Sequence, residues 1–190
     1  RNWSSPVFGY TGSVHQDRID IEIVVELAKA FPAATIALVG PNMLNPESVT
    51  RLAAHKNIVL PGPVDFSEVA SVMSAFDVCI VPHVVNDFTE SLSPLKLYEY
   101  LASGLPTVST PVSGFRDYPG LIHLAADASS FVRACEIALS EPQEMAVRRQ
   151  EIAKQHSWDA RLDEIEAVID STLDSKASSY STAPRAAHAV

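Results

Sequence analysis

A doubly wound α/β fold, with a mostly parallel sheet of about six strands, is what this sequence predicts. Short apolar runs alternate with amphipathic segments along most of the chain. Several of those runs, Val78-Cys79-Ile80-Val81 most clearly, are continuously apolar, as expected of strands covered on both faces. The spacing of strand, helix and strand implies right-handed parallel crossovers.

The elements follow in order. Val7-Phe8-Gly9-Tyr10 reads as the first strand, ending in Thr11-Gly12-Ser13. From Asp17 to Phe31, Ile21, Val24, Val25, Ala28 and Phe31 recur at helical spacing, and Pro32 closes the helix. Thr35 to Val39 is a second strand, broken by Gly40-Pro41-Asn42. A short helix from Pro46 or Glu47 to about His55 precedes a third strand at Ile58-Val59-Leu60. After the Pro61-Gly62-Pro63 loop, Asp65 or Ser67 can cap a helix running to Phe76. The fourth strand is Val78 to Val81, and His83 to Ser93 is polar and irregular.

Pro94 then suits the first turn of a helix with Ser93 as its cap, and Gly104 ends that helix. Leu95, Tyr98, Leu101 and Ala102 are expected on its core side, Lys96 and Glu99 on the other. A strand at Thr107-Val108-Ser109 and another at Ile122-His123-Leu124 follow. Three helices close the pattern, at Ser129 to Leu139, Glu144 to Gln155, and Ser157 to about Leu173. The last carries Trp158, Leu162, Ile165 and Ile169 on one stripe with Ser157 as its cap. Residues 1–173 are thus expected to form one domain, and 174–190, rich in Ser and Ala without periodicity, a disordered tail.

Bulk properties narrow the function. A net charge of −9 argues against non-specific nucleic-acid binding and against a broadly basic membrane-adhering surface. No apolar run approaches the ~20 residues of a membrane span. Cys79 and Cys135 fall in a buried strand and a helix, which favours free thiols in a reducing cytoplasm over a disulfide. The chain opens at Arg1 without a methionine, as expected of a piece of a larger protein or a processed product.

In a doubly wound sheet, ligands sit outside the carboxyl ends of the strands where the winding reverses, here the first and fourth. Those ends carry Thr11-Gly12-Ser13 and His83 to Pro94. Amide N–H groups at the start of the Pro94 helix attract phosphate oxygens, and Lys96 would add charge at a helix start, where the dipole disfavours it without an anion. Glu99, three residues on, can accept hydrogen bonds from sugar hydroxyls. Gly12 either admits a phosphate to the backbone or is simply a turn residue, and Arg18 either reaches a diphosphate or is solvated. His83 either touches a substrate or bonds to backbone. The histidines show no metal-ligand spacing and no carboxylate cluster suggests magnesium, so no metal or cofactor is expected.

At these residues the chain resembles the carboxyl-terminal, nucleotide-sugar-binding half of a GT-B glycosyltransferase of the group 1 type. Gly12-Ser13 with Arg18 is similar to that family's phosphate loop. The most specific match is Ser93 through Val108, and His156-Ser157-Trp158 resembles its Ser-Trp signature. Val59 to Val64 is similar to its loop near the nucleobase.

The resemblance implies a Rossmann-like domain binding a UDP- or GDP-sugar for metal-independent, retaining transfer to a polysaccharide, lipid-linked or small acceptor. Glu99 would hold the ribose, Ser91, Leu92 and Ser93 the distal phosphate and sugar, Arg18 and Lys96 the diphosphate, and the Val64 backbone the base. The partner it implies is an amino-terminal acceptor domain, absent here. The location it implies is the cytoplasm or the inner membrane face, with any membrane contact made through that missing half. Ser91, with Glu90 beside it, departs from a glutamate frequent at that position. An epimerase acting on a nucleotide sugar and a non-catalytic partner domain are the alternatives.

Overall fold

This computed structural model describes residues 3–91 and 95–181, with side chains to residue 173. The strands and helices, in chain order, are β1 (Val7–Thr11), β2 (Val14–His15), α1 (Ile21–Ala30), β3 (Thr35–Val39), β4 (Asn42–Met43), α2 (Pro46–Ala53), β5 (Ile58–Gly62), α3 (Val69–Met73), β6 (Val78–Val81), α4 (Asp87–Glu90), α5 (Leu95–Ser103), β7 (Thr107–Ser109), β8 (His123–Leu124), α6 (Ala128–Ala138), α7 (Glu144–Gln155) and α8 (Trp158–Ser181).

Six strands form one parallel sheet in the order β5-β3-β1-β6-β7-β8. The winding reverses between β1 and β6, the first and fourth strands of that sheet, as the sequence predicts. The two-residue strands β2 and β4 pair separately, just beyond the ends of β1 and β3.

Side chains alternate across the sheet with the period of two that a strand imposes. Phe8, Tyr10, Ile36, Leu38, Val78, Ile80 and Val108 enter one core with α1 and α6. Val7, Ala37, Val39, Cys79 and Val81 enter the other with α3 and α5. At Gly9 a side chain would drive into the Phe76 ring, so the absence of one lets the α3 end lie against β1. Burial of a single Phe8 or Tyr10 is worth about 1.5–3 kcal/mol, so these two layers hold the sheet that aims the loops.

Two helices start later than expected, and one forms where none was expected. Helix α1 starts at Ile21 because Asp20, accepting from the N–H of Glu22 and Ile23, is its cap; residues 16–20 turn back instead. The segment after Asp65 opens as a 3-10 turn, Phe66–Glu68, before α3, with no side-chain cap bond. Asn86 caps the four-residue α4 inside the stretch expected to be irregular.

On α5 the buried positions are Leu97, Tyr100 and Leu101, while Leu95 is 64% exposed. The expected core face was therefore rotated: Tyr100 is drawn under the sheet by its bond to Thr11, which leaves Leu95 at the solvent edge.

The chain divides into two compact units, 1–153 and 154–190. In the second unit Ser157 accepts from the Ala160 N–H as the expected cap of α8. That helix continues to Ser181, with no Gly or Pro to stop it, so residues 174–181 are helical where a disordered tail was expected. Residues 182–190 lie outside the described residues.

Candidate functional site

The carboxyl ends of β1 and β6 border a cavity of about 200 Å³ lined by Tyr10, Gly12, Ser13, Arg18, His83, Thr89, Leu95, Lys96, Val112, Ser113 and Phe115. Gly12 leaves β1 at φ 131°, and a Cβ there would meet the Lys96 ammonium and, at 3.3 Å, the Tyr10 hydroxyl. The glycine is thus required twice, by its backbone conformation and by the lysine beside it. Below it, a Cβ on Gly40 (φ 148°) would strike the Gly12 carbonyl, so the turns after β1 and β3 touch backbone to backbone.

Lys96 reaches across from α5 and donates to the Thr11 carbonyl, with its ammonium 5.0 Å from the centre of the Tyr10 ring and 5.9 Å from that of Tyr100. The Tyr100 hydroxyl accepts from the Thr11 N–H at 2.9 Å, fixing α5 to β1. Among the described residues no carboxylate pairs with Lys96. Burial lowers its pKa, nearby Glu99 opposes that shift, and Arg18 adds to it.

Arg18 enters from the turn before α1, its guanidinium 5.0 Å from the centre of the Phe88 ring. Its buried Nε has no hydrogen-bond partner. Two cations, one with an unmatched buried donor, therefore face a small cavity. Such an arrangement is relieved by an anion with several oxygen acceptors.

His83 completes the wall. Contrary to the backbone-bonded alternative, Nε2 lies 3.3 Å from the Tyr10 hydroxyl, whose own proton goes to the Ser13 carbonyl at 3.1 Å. Burial, then Lys96 and Arg18, push the His83 pKa down to about 3, so the imidazole is neutral. Burial raises the Tyr10 pKa, keeping the phenol protonated.

The rim comes from α4 and the loop after β7, joined by an ion pair between Arg116 and Glu90 at 2.5 Å. The second Glu90 oxygen is buried without a partner.

Gly12, Ser13, Arg18 and Lys96 thus meet around one cavity. Glu99, exposed one turn along α5 from Lys96, lines a neighbouring groove of about 640 Å³ with Phe66, Val69, Met73 and Leu105. Val64 lies outside both linings and packs half-buried on the core beside α3 and α5. Ser91 also lies outside them; it ends α4, its hydroxyl donating to the Phe88 carbonyl at 2.8 Å. Leu92 and Ser93 lie outside the described residues.

Tyr10, Thr89, Val112, Ser113 and Phe115 line the cavity without having been singled out in the sequence. For Tyr10 a signal existed: it directly precedes the Thr11-Gly12 turn on a strand whose alternate positions are apolar.

Residues 5–141 match the family model "Glycosyl transferases group 1". A relative from Bacillus subtilis (strain 168), "Putative teichuronic acid biosynthesis glycosyltransferase TuaH", is 30% identical over 159 residues, which are 80% of this chain and 40% of the relative. Among solved structures, Anabaena Alr3699/HepE in complex with UDP superposes with a TM-score of 0.70 at 17% identity, covering 89% of this chain and 49% of that one. Sucrose-phosphate synthase from Thermosynechococcus elongatus gives 0.69 at 21% identity, over 90% of this chain and 46% of that one. These likenesses establish the fold, and the chain spans less than half the length of each of these three proteins. The family match, over more than half its length, places it: this chain belongs to the group 1 glycosyl transferases.

Proposed function

We propose that this chain is the donor-binding domain of a metal-independent glycosyltransferase whose substrate is a UDP- or GDP-sugar. The observation that carries the reading is the meeting of Lys96 and Arg18, neither paired with a carboxylate among the described residues, at the Gly12 turn where the sheet winding reverses. A pyrophosphate lying there takes hydrogen bonds from both cations. The same two charges stabilise the nucleoside diphosphate as it leaves with the electron pair of the glycosidic bond. The ribose runs along α5 towards Glu99, one turn away, and the base towards the Val64 loop. The family resemblance assigns Ser91, Leu92 and Ser93 to the distal phosphate and sugar.

Transfer is to a polysaccharide, lipid-linked or small acceptor held by an amino-terminal domain, with retention of anomeric configuration as the family resemblance implies. The HepE and TuaH likenesses support this reading through fold and family. The work would be done in the cytoplasm, with membrane contact, if the whole protein makes any, through the other domain. Among the described residues no helix is long and apolar enough to cross a membrane.

Titration of the chain with UDP, GDP and ADP tests it. A micromolar to millimolar preference for UDP or GDP is expected; no binding of any of them at millimolar concentration overturns the reading in favour of a domain that has kept the fold alone.

A further inference from the structure

The His83 imidazole has a role in this cavity that its neutral state leaves unused. The ring is 7% exposed and held at the end of β6, where the chain bridges to Ile19 and the Val84 N–H donates to the Arg18 carbonyl at 2.7 Å. With the Tyr10 hydroxyl donating to the Ser13 carbonyl, the shorter of its two contacts, Nε2–H is the donor in the contact with Tyr10. The proton of the neutral ring is thereby assigned to Nε2. Nδ1 is left with a lone pair and makes no hydrogen bond among the described residues. The cavity that His83 lines holds two cationic side chains and, among the described residues, no anionic one.

We propose that His83 takes up one proton from solvent as a nucleotide diphosphate enters, and that the imidazolium then donates Nδ1–H to a phosphate oxygen. This rests on the donor-binding reading and deepens it. Burial opposes protonation most in the empty cavity, followed by the charges of Lys96 on α5 and Arg18 before α1. From β1 the neighbour is the neutral phenol of Tyr10; from α4 it is Thr89, while Glu90 is bound to Arg116; the loop after β7 contributes Ser113 and Phe115. None of these supplies a negative charge to hold a third cation. The diphosphate does: its two charges offset Lys96 and Arg18, and a phosphate oxygen accepting from Nδ1–H works against the penalty of burial. The site therefore carries a reserve donor that becomes active only when the anion is present, and its proton remains available to the diphosphate as charge develops on departure.

The test uses UDP-glucose and GDP-mannose, whose phosphodiester pyrophosphates do not titrate between pH 5 and 8, unlike free UDP. Calorimetry on the 190-residue chain at pH 5.5, in buffers of different ionisation enthalpy, should show more than about half a proton taken up per ligand bound. Affinity should tighten about four- to ten-fold from pH 7.5 to 5.5, the span expected if the ligand returns the ring to its ordinary range of about 6–6.5. In His83→Gln, which keeps a donor towards Tyr10, both the uptake and the pH slope should vanish. Ring-nitrogen shifts of His83 in the unaltered chain, with and without ligand, give the same answer without a variant.

Binding with no proton uptake and a flat pH profile overturns the inference and leaves the donor-binding reading intact. Uptake that persists in His83→Gln also overturns it. Failure of both sugar nucleotides to bind at any pH counts against the donor-binding reading itself.

Discussion

Lys96 and Glu99 stand one turn apart on α5, about 4.5 Å along its axis, yet they face different depressions in the surface. Their contributions are therefore separable. Lys96→Met removes a partly buried charge from the cavity and should weaken nucleoside diphosphate binding about ten-fold or more, with a reduced salt dependence, measured by calorimetry. Glu99→Ala should weaken nucleoside as well as nucleotide binding; unchanged affinity would remove Glu99 from the site. The neutral His83 also predicts an acid limb in stability. Its pKa is about 3 when folded against an ordinary 6.5, so between those values the unfolded chain binds more protons than the folded one. Stability from this group is complete above pH ~6.5 and falls as the pH drops below it, by up to about 1.4 kcal/mol per pH unit. Thermal melts at pH 7 and pH 5 should show a smaller acid loss in His83→Gln than in the unaltered chain.

Within the first unit, helix α7 is held by a buried ion pair as well as by apolar contacts. Arg149, fully buried, donates to both oxygens of Glu141, to the Leu121 carbonyl at 2.8 Å and to the Gly104 carbonyl at 3.3 Å, while Glu141 also meets His123 at 3.0 Å. Arg149→Met should cost about 3–5 kcal/mol in denaturant unfolding, because Glu141 would keep a buried charge without its partner. This cluster shows where reading a sequence stops. An arginine on a polar-looking helix gives no sign that carbonyls and a carboxylate from elsewhere converge on it. Strands β1, β3 and β6 were legible because their largely apolar runs suit burial on both faces, and β5, β7 and β8 as short runs bounded by turn residues. Strands β2 and β4 were not, being two residues each and fixed by pairing with one another. Gly12 and Lys96 could be brought together from sequence because crossover topology decides which strand ends are neighbours. The Tyr100 bond to Thr11 could not, and so the face of α5 was misassigned and Leu95 was expected in the core.

At the scale of the first unit, the cavity has two cations and a neutral imidazole, and among the described residues no carboxylate lines it to act as base. The purified chain should bind a sugar nucleotide and transfer no sugar, as judged by release of nucleoside diphosphate with a panel of acceptors; sustained turnover would contradict this. Opposite the rim, the Gly12 turn rests on Gly40 with no side chain between them. That floor has no rotamer to adjust, so mutation can reshape the cavity only from its other walls: Tyr10 and Ser13, the turn before α1, α4, the loop after β7, and the ends of β6 and α5. Divergence towards new ligands among descendants of such a chain should accumulate in those walls, while the two glycines stay as they are.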